Sequence, residues 1–589
     1  MTLIDWLVII LVLSGIIVYG LFKSRATKNL EGYFLSNRNM PWYLVLLSIM
    51  GTQASAITFL SGPGQAYADG MRFVQYYFGL PLAMVVICIT FVPIFNHLKV
   101  YTAYEFLEKR FDNKTRTLTS FLFLLQRGLS TGISIYAPSI ILSSLFGWDI
   151  FWTNMIMGGM LIIYTVSGGA RAVAHTQKLQ WIIIFAGMLL AGYMVIHLMP
   201  ENVGLSDALH VSGKQGRLNV ITTGNTAQGF NWNDRYNIWS GLIGGFFLAL
   251  SYFGTDQSQV GRYLTAQNNT ESRLGLLING LIKIPLQFFI LLIGVLIFAF
   301  YQFNAAPITF NDSLIAKAHK TQYNDSLNLI ENRYTVLSAQ VDQQNRLLHG
   351  RKLDNSSSDR ELLQSSVLAG NQQLDGLRKE YKAVLQKALP DADVNDTNYI
   401  FLSFVKSHIP QGLRGLLIAI IFIASWGSIA AALNSLAAST MMDFHKRISK
   451  RNIVEKEYVI SRYYTLAWGG FSILIAQFAH QLGQSLIEAV NVLGSLFYGV
   501  ILGIFLVAFY AKKINGTATF IAALITEVFV ILLFFNEQIS FLRWLPDISF
   551  LWLNMIGALG VLSISLIIQQ LSAKQVPAPV PQSYGNEVI

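Results

Sequence analysis

Long apolar runs separated by short basic loops organise this chain. A membrane-crossing helix takes roughly 20 apolar residues. On that measure about thirteen spans can be drawn, at 5–22, 41–68, 73–98, 118–146, 150–166, 179–199, 238–260, 274–303, 413–438, 458–479, 486–510, 517–535 and 548–571. Inside the second run polarity returns: residues 50–66 read MGTQASAITFLSGPGQA, with Thr52, Gln53, Ser55, Thr58, Ser61 and Pro63 among glycines. Unwound backbone at membrane depth is tolerated only where it is buried in protein or lines a wet cavity. Broken helices of this kind mark transporter binding sites, so this stretch reads as the floor of a solute and cation site.

A second interruption is expected in GGFFLALSYFGTDQSQVGRYL, residues 244–264, where Gly244, Gly245 and Gly254 weaken the helix near its middle. Asp256 and Arg262 follow towards its inner end. It comes five spans after the first interruption, the spacing required by an inverted repeat of two five-helix halves.

Two regions are polar. Residues 201–236 form an outer loop, and 304–410 an insertion rich in Gln, Asn, Asp and Lys. Within the insertion Leu327, Ile330, Tyr334, Leu337 and Val341 recur at helical spacing, as do Leu363, Val367, Leu374, Leu377, Tyr381 and Val384. HGRKLDNSSSD between them reads as a turn. An extracytoplasmic two-helix hairpin with one apolar seam is predicted, with an outer face available to an extracytoplasmic partner. The chain then divides into 1–40 (leading span and loop), 41–200 (first repeat), 201–236 (outer loop), 237–303, 304–410 (insertion), 411–512, 513–571 (trailing spans) and 572–589. This last stretch is a Pro-rich tail expected to be disordered and cytoplasmic.

Composition agrees with a polytopic membrane protein. Of 589 residues, 53% are hydrophobic and 13% charged, against about a quarter charged in soluble domains, and the mean hydropathy is +0.46. A net charge of +10 could suggest nucleic acid, but the basic residues cluster in short loops. Lys23, Arg25 and Lys28 follow the first span; Lys99, Lys109, Arg110, Lys114 and Arg116 follow the third. His445, Lys446, Arg447, Lys450 and Arg451 follow the ninth, and Lys512 and Lys513 the eleventh. Every cluster falls on one side if the N-terminus is outside and the C-terminus cytoplasmic. The partners expected are therefore a lipid bilayer and a small solute, with no nucleic acid. The single cysteine, Cys88, leaves no internal disulfide. Its scarcity and the polar insertion suit a plasma membrane of bacterial inner-membrane type. The first span lacks a basic n-region and a cleavage site, so it reads as retained.

A hard cation needs oxygen ligands, and a broken helix frees carbonyls. Gly51 and Ala54, spaced i and i+3, can aim two at one ion, and Ser55 adds a hydroxyl. In IASWGSIAAALNS, Ala424, Ser425, Ser428 and Ser435 lie among small residues. Close helix packing by itself explains such serines; a cation site explains them as well once they stand opposite a broken helix. Arg127 and Lys283 are charged residues inside spans, where burial is expensive, although Lys283 sits about a third of the way along its helix and can snorkel. Glu488 and His480 read as interfacial. No nucleotide-binding loop, metal-ligand cluster or catalytic triad is found in the sequence, so neither an ATP-driven pump nor an enzyme is expected.

Five ordered motifs, SAITFLSGPGQAYADG (55–70), VPIFNHLKVYTAYEFLEKRFD (92–112), YFGTDQSQVGRYLTA (252–266), LNSLAASTMMDFHKR (433–447) and NVLGSLFYGVILGIFLVAF (491–509), resemble the sodium/solute symporter family. The resemblance covers nearly everything outside the insertion. It implies an all-α, LeuT-type membrane fold: a leading helix, a five-plus-five inverted repeat and two trailing helices. It implies a sodium site built from the carbonyls of Gly51, Ala54 and Ala424 and the hydroxyl of Ser428. Gly427 stands where the family has a first hydroxyl, which Ser425 or a water can replace. The family's further sodium site uses an aspartate in Thr-Asp-x-x-Gln, and here the sequence is Thr176-Gln177-Lys178-Leu179-Gln180; one sodium per solute is expected. Pocket positions carried over are Gln53, Thr58, Gln75, Tyr77, Ala249, Tyr252, Lys283 and Asn491, beside Ser55. Lys283 and Tyr252 resemble the sugar carriers, but Tyr77 and Ala249 replace their glutamate and asparagine, and Gln53 replaces the aspartate of the proline carriers. The stretch SAITFLSGPG is closer to the vitamin, iodide and monocarboxylate branch.

The function expected is therefore sodium-driven import of a small polar organic solute by alternating access. A sugar-like solute is favoured over a monocarboxylate or other organic anion. A transporter-like membrane sensor is the alternative from another class, and it would need an attached signalling domain that the tail is not expected to supply. Proton coupling would call for a carboxylate in the cation site, which has none.

Overall fold

The computed structural model describes residues 1–572 apart from 24–29, 202, 351–356, 391, 449–453, 483–484, 537–538, 540 and 542. The expected tail from 573, the centre of the expected hairpin turn, and Arg25, Lys28, Lys450 and Arg451 lie outside the described residues. Helix α1 (Leu3–Lys23) leads. The first interrupted span is α2 (Trp42–Gln53) and α3 (Ala56–Asp69), with Ala54 and Ser55 in extended backbone between them. Leu80–Val86, a π turn at Ile87–Phe91 and Val92–Leu98 follow end to end, then α4 (Asn113–Phe146) and α5 (Ile150–His197).

Helix α5 holds two spans rather than one. The hydroxyls of Tyr164 and Thr176 meet at 2.8 Å, whereas twelve residues of straight helix would separate them by about 18 Å. The chain therefore folds back between them.

The second interruption lies between α6 (Gly245–Thr255) and α7 (Gln257–Tyr263), at Asp256, whose φ of −73° and ψ of 117° leave the helix. The glycines expected to weaken this span do something else. Gly244 and Gly245 let the helix approach Leu551 and Tyr76, where a β-carbon would come within 2.7 and 2.5 Å of the respective carbonyl oxygens.

Helix α8 (Asn269–Phe303) leads to the insertion, with α9 (Asn324–Gly350) and α10 (Ser357–Ala388). Then come α11 (Leu413–Ser439), α12 (Val454–Ala476), α13 (Leu486–Tyr510), α14 (Gly516–Phe534) and α15 (Phe550–Ser572).

Among the described residues nine helices are long and apolar enough to cross a membrane, while Trp42–Gln53, Ile150–Val166 and Ser240–Thr255 are apolar but shorter. A count of thirteen does not emerge on those criteria: broken spans leave pieces too short to qualify, Ala56–Leu98 runs as one stretch, and α12, although 23 residues long, is not among the nine. Helix α11 is the axis of the bundle: 94% of its most apolar window is buried in protein, against 22% for α1 at the periphery. A helix apolar all round and rich in Ala, Gly and Ser can be packed on every side at close approach.

In the insertion, Leu327, Ile330, Tyr334 and Val341 of α9 close a separate core with Leu374, Leu377, Tyr381 and Leu385 of α10. Asn345 fastens it to α8 by donating to the Gln302 carbonyl at 2.8 Å. The chain leaving the insertion presses on α3. Ser61 donates to Asn398 Oδ1 at 2.8 Å, and a β-carbon on Gly64 would fall 1.9 Å from the Thr397 carbonyl oxygen.

Candidate functional site

The first helix interruption opens onto a cavity, and the helix that leads to the second supplies part of its wall. Thr52, Gln53, Ser55 and Thr58 line it from α2 and α3, Ala249 and Tyr252 from α6, and Ser428 from α11. Tyr76 and Tyr77, Lys283 of α8, Asn491 of α13, and Gln126, Arg127, Ser130, Thr131 and Ser134 of α4 complete the wall, with apolar Ile57, Leu80, Leu248 and Phe253 between.

The two cations are inside. Lys283 does not snorkel; it is 2% exposed, with Nζ over the Tyr77 ring at 5.4 Å, a favourable cation–π placement. Arg127 stands over the Tyr252 ring at 5.9 Å and 3.7 Å from Asp256 Oδ2. Several lining atoms are buried with no hydrogen-bond partner: Gln53 Oε1, Gln126 Oε1, Arg127 Nε and Asn491 Nδ2. Buried polar atoms are normally paired, so two unpaired acceptors and two unpaired donors on residues that line one cavity suit a polar recognition site. Tyr76 fixes Asn491 by donating to its Oδ1 at 3.1 Å, and Gln259 fixes Tyr252 by donating to its hydroxyl at 2.7 Å.

Gln75 lies outside the cavity. Fully buried, its amide nitrogen donates to the carbonyls of Arg72 and Tyr236 at 3.2 and 3.0 Å and to Thr222 Oγ1 at 3.1 Å. Its amide oxygen accepts from the Thr222 N–H at 3.1 Å. It clasps the 201–236 loop. Glu488, expected near the outer interface, is buried and ion-paired with Arg235 of that loop. His480 packs on its own turn, against the Gln477 carbonyl at 2.8 Å.

The five positions expected around the cation lie where α2, α5 and α11 meet. Helix α2 ends at Gln53, and the Met50 carbonyl accepts from Ala54 N–H at 2.8 Å. The carbonyls of Gly51 and Ala54 accept no such bond among the described residues, leaving orphan oxygens of a helix C-terminus. Across from them Ser428 donates back to the carbonyls of Ala424 and Ser425 at 3.1 and 3.2 Å, and Ser425 to Ile421 at 2.9 Å. A hydroxyl whose proton is committed to its own helix presents its remaining lone pair outward. Gln177 of α5 bridges the two helices: Ser48 donates to its Oε1 at 2.9 Å, and its Nε2 donates to the Gly427 carbonyl at 3.2 Å. All the oxygens here are neutral, which suits a hard monovalent ion. Ser428 also lines the main cavity, so the expected cation and solute positions adjoin.

Sequence reasoning found Arg127 but missed the rest of the α4 wall, Tyr76, Tyr498 and the contact of the α5 glutamines with α2 and α11. The α4 residues left a signal: Gln126, Arg127, Ser130, Thr131 and Ser134 form a polar stripe at helical spacing in an otherwise apolar run.

Comparison with known proteins bears on this arrangement. The chain matches the description of the sodium:solute symporter family over residues 33–326 and 379–526. It is 29% identical over 282 residues to the sodium-coupled monocarboxylate transporter 1 of Xenopus laevis, a match covering 47% of this chain and 43% of that protein. It is 23% identical over 565 residues to the sodium/sialic acid symporter NanT of Aliivibrio fischeri, covering 94% of this chain and 90% of that one. A solved substrate-bound, outward-open structure of a Na+-coupled sialic acid symporter superposes with a TM-score of 0.71 at 22% identity, covering 97% of this chain and 98% of the other. The likeness shows the fold, the all-α inverted repeat of the LeuT type.

Proposed function

The chain belongs to the sodium:solute symporter family, and from that premise we propose that it imports a small sugar-like organic acid together with sodium. One observation carries the solute class: Lys283 and Arg127 face a single cavity with unpaired amide donors and acceptors around them. The cations suit a carboxylate, and the amides suit hydroxyls that both donate and accept. Sodium is the co-transported ion. It binds at Gly51, Ala54, Ala424, Ser425 and Ser428 and stabilises the solute-competent conformation; an ion with equal affinity for both conformations would shift nothing. Sialic acid carriers among the relatives support a sugar acid, and a multi-pass membrane location follows from the family.

The proposed orientation puts the insertion outside, with the N-terminus outside and the C-terminus cytoplasmic, in a plasma membrane of bacterial inner-membrane type. Arg110 donates to the carbonyls of Ala508, Ala511, Lys512 and Ile514, and Arg447 pairs with Glu108. The basic loops after 98, 439 and 510 thus share one surface, in keeping with the positive-inside rule.

The test is ligand-dependent thermal stability of the purified protein in sodium against potassium. Sugar acids, neutral sugars, monocarboxylates and amino acids form the panel. A shift that requires both sodium and a sugar acid, and disappears in Ser428→Ala, is the expected result. A shift with monocarboxylates alone would move the reading to an organic-anion carrier, and shifts indifferent to sodium would sink it.

A further inference from the structure

Two glycines at the cation site make room for two glutamines. A β-carbon on Gly51 would come within 2.8 Å of Gln177 Cγ, and one on Gly427 within 2.6 Å of Gln180 Oε1. The glutamines differ in how they are held. Gln177 is fixed by Ser48 and by the Gly427 carbonyl. Gln180 is 2% exposed, its Nε2 is buried with no hydrogen-bond partner, and no protein group holds its amide among the described residues.

A serine at 427 would carry its hydroxyl one bond beyond that β-carbon, in the same small volume where Gln180 Oε1 already lies. The hydroxyl missing from α11 and the amide arriving from α5 are thus alternatives for one place. We propose that Gln180 Oε1 is a sodium ligand, taking the position left by the absent side chain of Gly427, and that Gln177 is the positioning residue that holds Gly427 and the end of α2 around it. This rests on the reading of Gly51, Ala54 and Ser428 as the sodium site. An amide oxygen is chemically apt: it is hard, neutral and strongly dipolar, like the carbonyls that replace an ion's hydration shell in selective filters. The arrangement also ties the ion to α5 as well as to α2 and α11, so sodium binding clamps three helices.

The test uses the full-length purified protein and two readouts. Thermal stability is titrated with sodium at constant ionic strength, and intrinsic fluorescence is followed because Trp181 and Trp426 are chain neighbours of Gln180 and Gly427. Gln180→Ala should raise the half-saturating sodium concentration by about tenfold, while the solute-induced shift at saturating sodium is retained. Gly427→Ser alone should also weaken sodium binding, because it meets Gln180. The double variant Gln180→Ala/Gly427→Ser should recover most of the lost affinity, a coupling that simple loss of packing would not produce. If Gln180→Ala does not fold, Gln180→Glu keeps the length and should tighten sodium binding. A Gln180→Ala protein that titrates like the parent while Ser428→Ala does not would overturn the assignment and leave the sodium site standing. So would a double variant no better than Gln180→Ala, or a Gln180→Glu protein with unchanged affinity. A parent protein blind to sodium would overturn both.

Discussion

The Tyr498 hydroxyl donates to Asp256 Oδ2 across 2.7 Å, joining α13 to the point where α6 gives way to α7. The other carboxylate oxygen accepts the Ser258 N–H at 2.7 Å and so caps α7. Arg127 stands 3.7 Å away on α4, and Ser251 donates to the Tyr498 carbonyl at 2.6 Å. One buried carboxylate therefore holds three helices at the cavity wall and sets the second helix break.

Asp256→Asn is expected to destabilise the protein more than Tyr498→Phe does. Removing the charge leaves Arg127 buried without its counter-ion, which costs about 3–5 kcal/mol. Removing the phenol leaves one acceptor short of a donor, about 1–3 kcal/mol. Thermal unfolding of the two variants in parallel checks the order. Equal melting temperatures would mean that Arg127 is balanced elsewhere.

Lys283→Met should weaken binding of an acidic solute by an amount typical of a charge-assisted hydrogen bond, about 1.5–3 kcal/mol, and affect its neutral amide analogue far less. The variant keeps an unbranched side chain of similar length. Competition binding with the acid and the amide separates the cases, and an equal loss for both would remove Lys283 from carboxylate recognition.

Gln75→Ala should cost stability and leave solute affinity unchanged. All of its partners lie on its own turn or in the 201–236 loop, and the variant strands the Thr222 N–H, about 1–3 kcal/mol for a buried group, while the Tyr236 carbonyl keeps the Thr222 hydroxyl at 2.7 Å. Thermal unfolding and solute titration on the same sample decide it. Weaker solute binding with unaltered stability would return Gln75 to the pocket.

The break at Ala54–Ser55 was legible because Thr52, Gln53 and Ser55 have no apolar reason to sit at membrane depth. The second break was legible as a region and misplaced in detail. Glycine weakens a helix in isolation, but Gly244 and Gly245 serve close packing against Leu551 and Tyr76, and the helix yields at Asp256, whose carboxylate caps the next one. The family resemblance carries Gln75 into the pocket together with Tyr77; in the 3-10 helix Gly70–Tyr77 neighbouring side chains point apart, and Gln75 turns to the loop. Of the α5 glutamines, Gln177 was visible as a departure from a familiar motif and Gln180 as its matching glutamine. Their link to Gly427 was not, since it depends on two helices whose approach a single sequence does not encode.

Two titrating groups in the insertion predict how its stability responds to pH. Burial raises the Asp342 carboxyl to about 6, against a weaker lowering by Arg346. Across pH 4 to 6 the folded state keeps a proton that the unfolded chain has lost, so unfolding releases protons and stability falls as pH rises. His319 works in the same direction. Its bond to Asn324 Oδ1 at 2.7 Å raises its pKa most, burial opposes this, and Glu331, with Oε1 at 3.0 Å, adds to the rise. Its contribution is complete below the ordinary imidazole value and is lost as pH climbs through the raised one. Both groups thus favour a hairpin that is tighter at pH 5 than at pH 7.5. Hydrogen exchange of residues 312–388 in the full-length protein, corrected for the intrinsic pH dependence of exchange, should show stronger protection at the lower pH. Asp342→Asn should flatten the lower part of that dependence, and His319→Gln the upper part. Protection that rises with pH in the parent protein would show that Arg346 and other cations govern these groups instead.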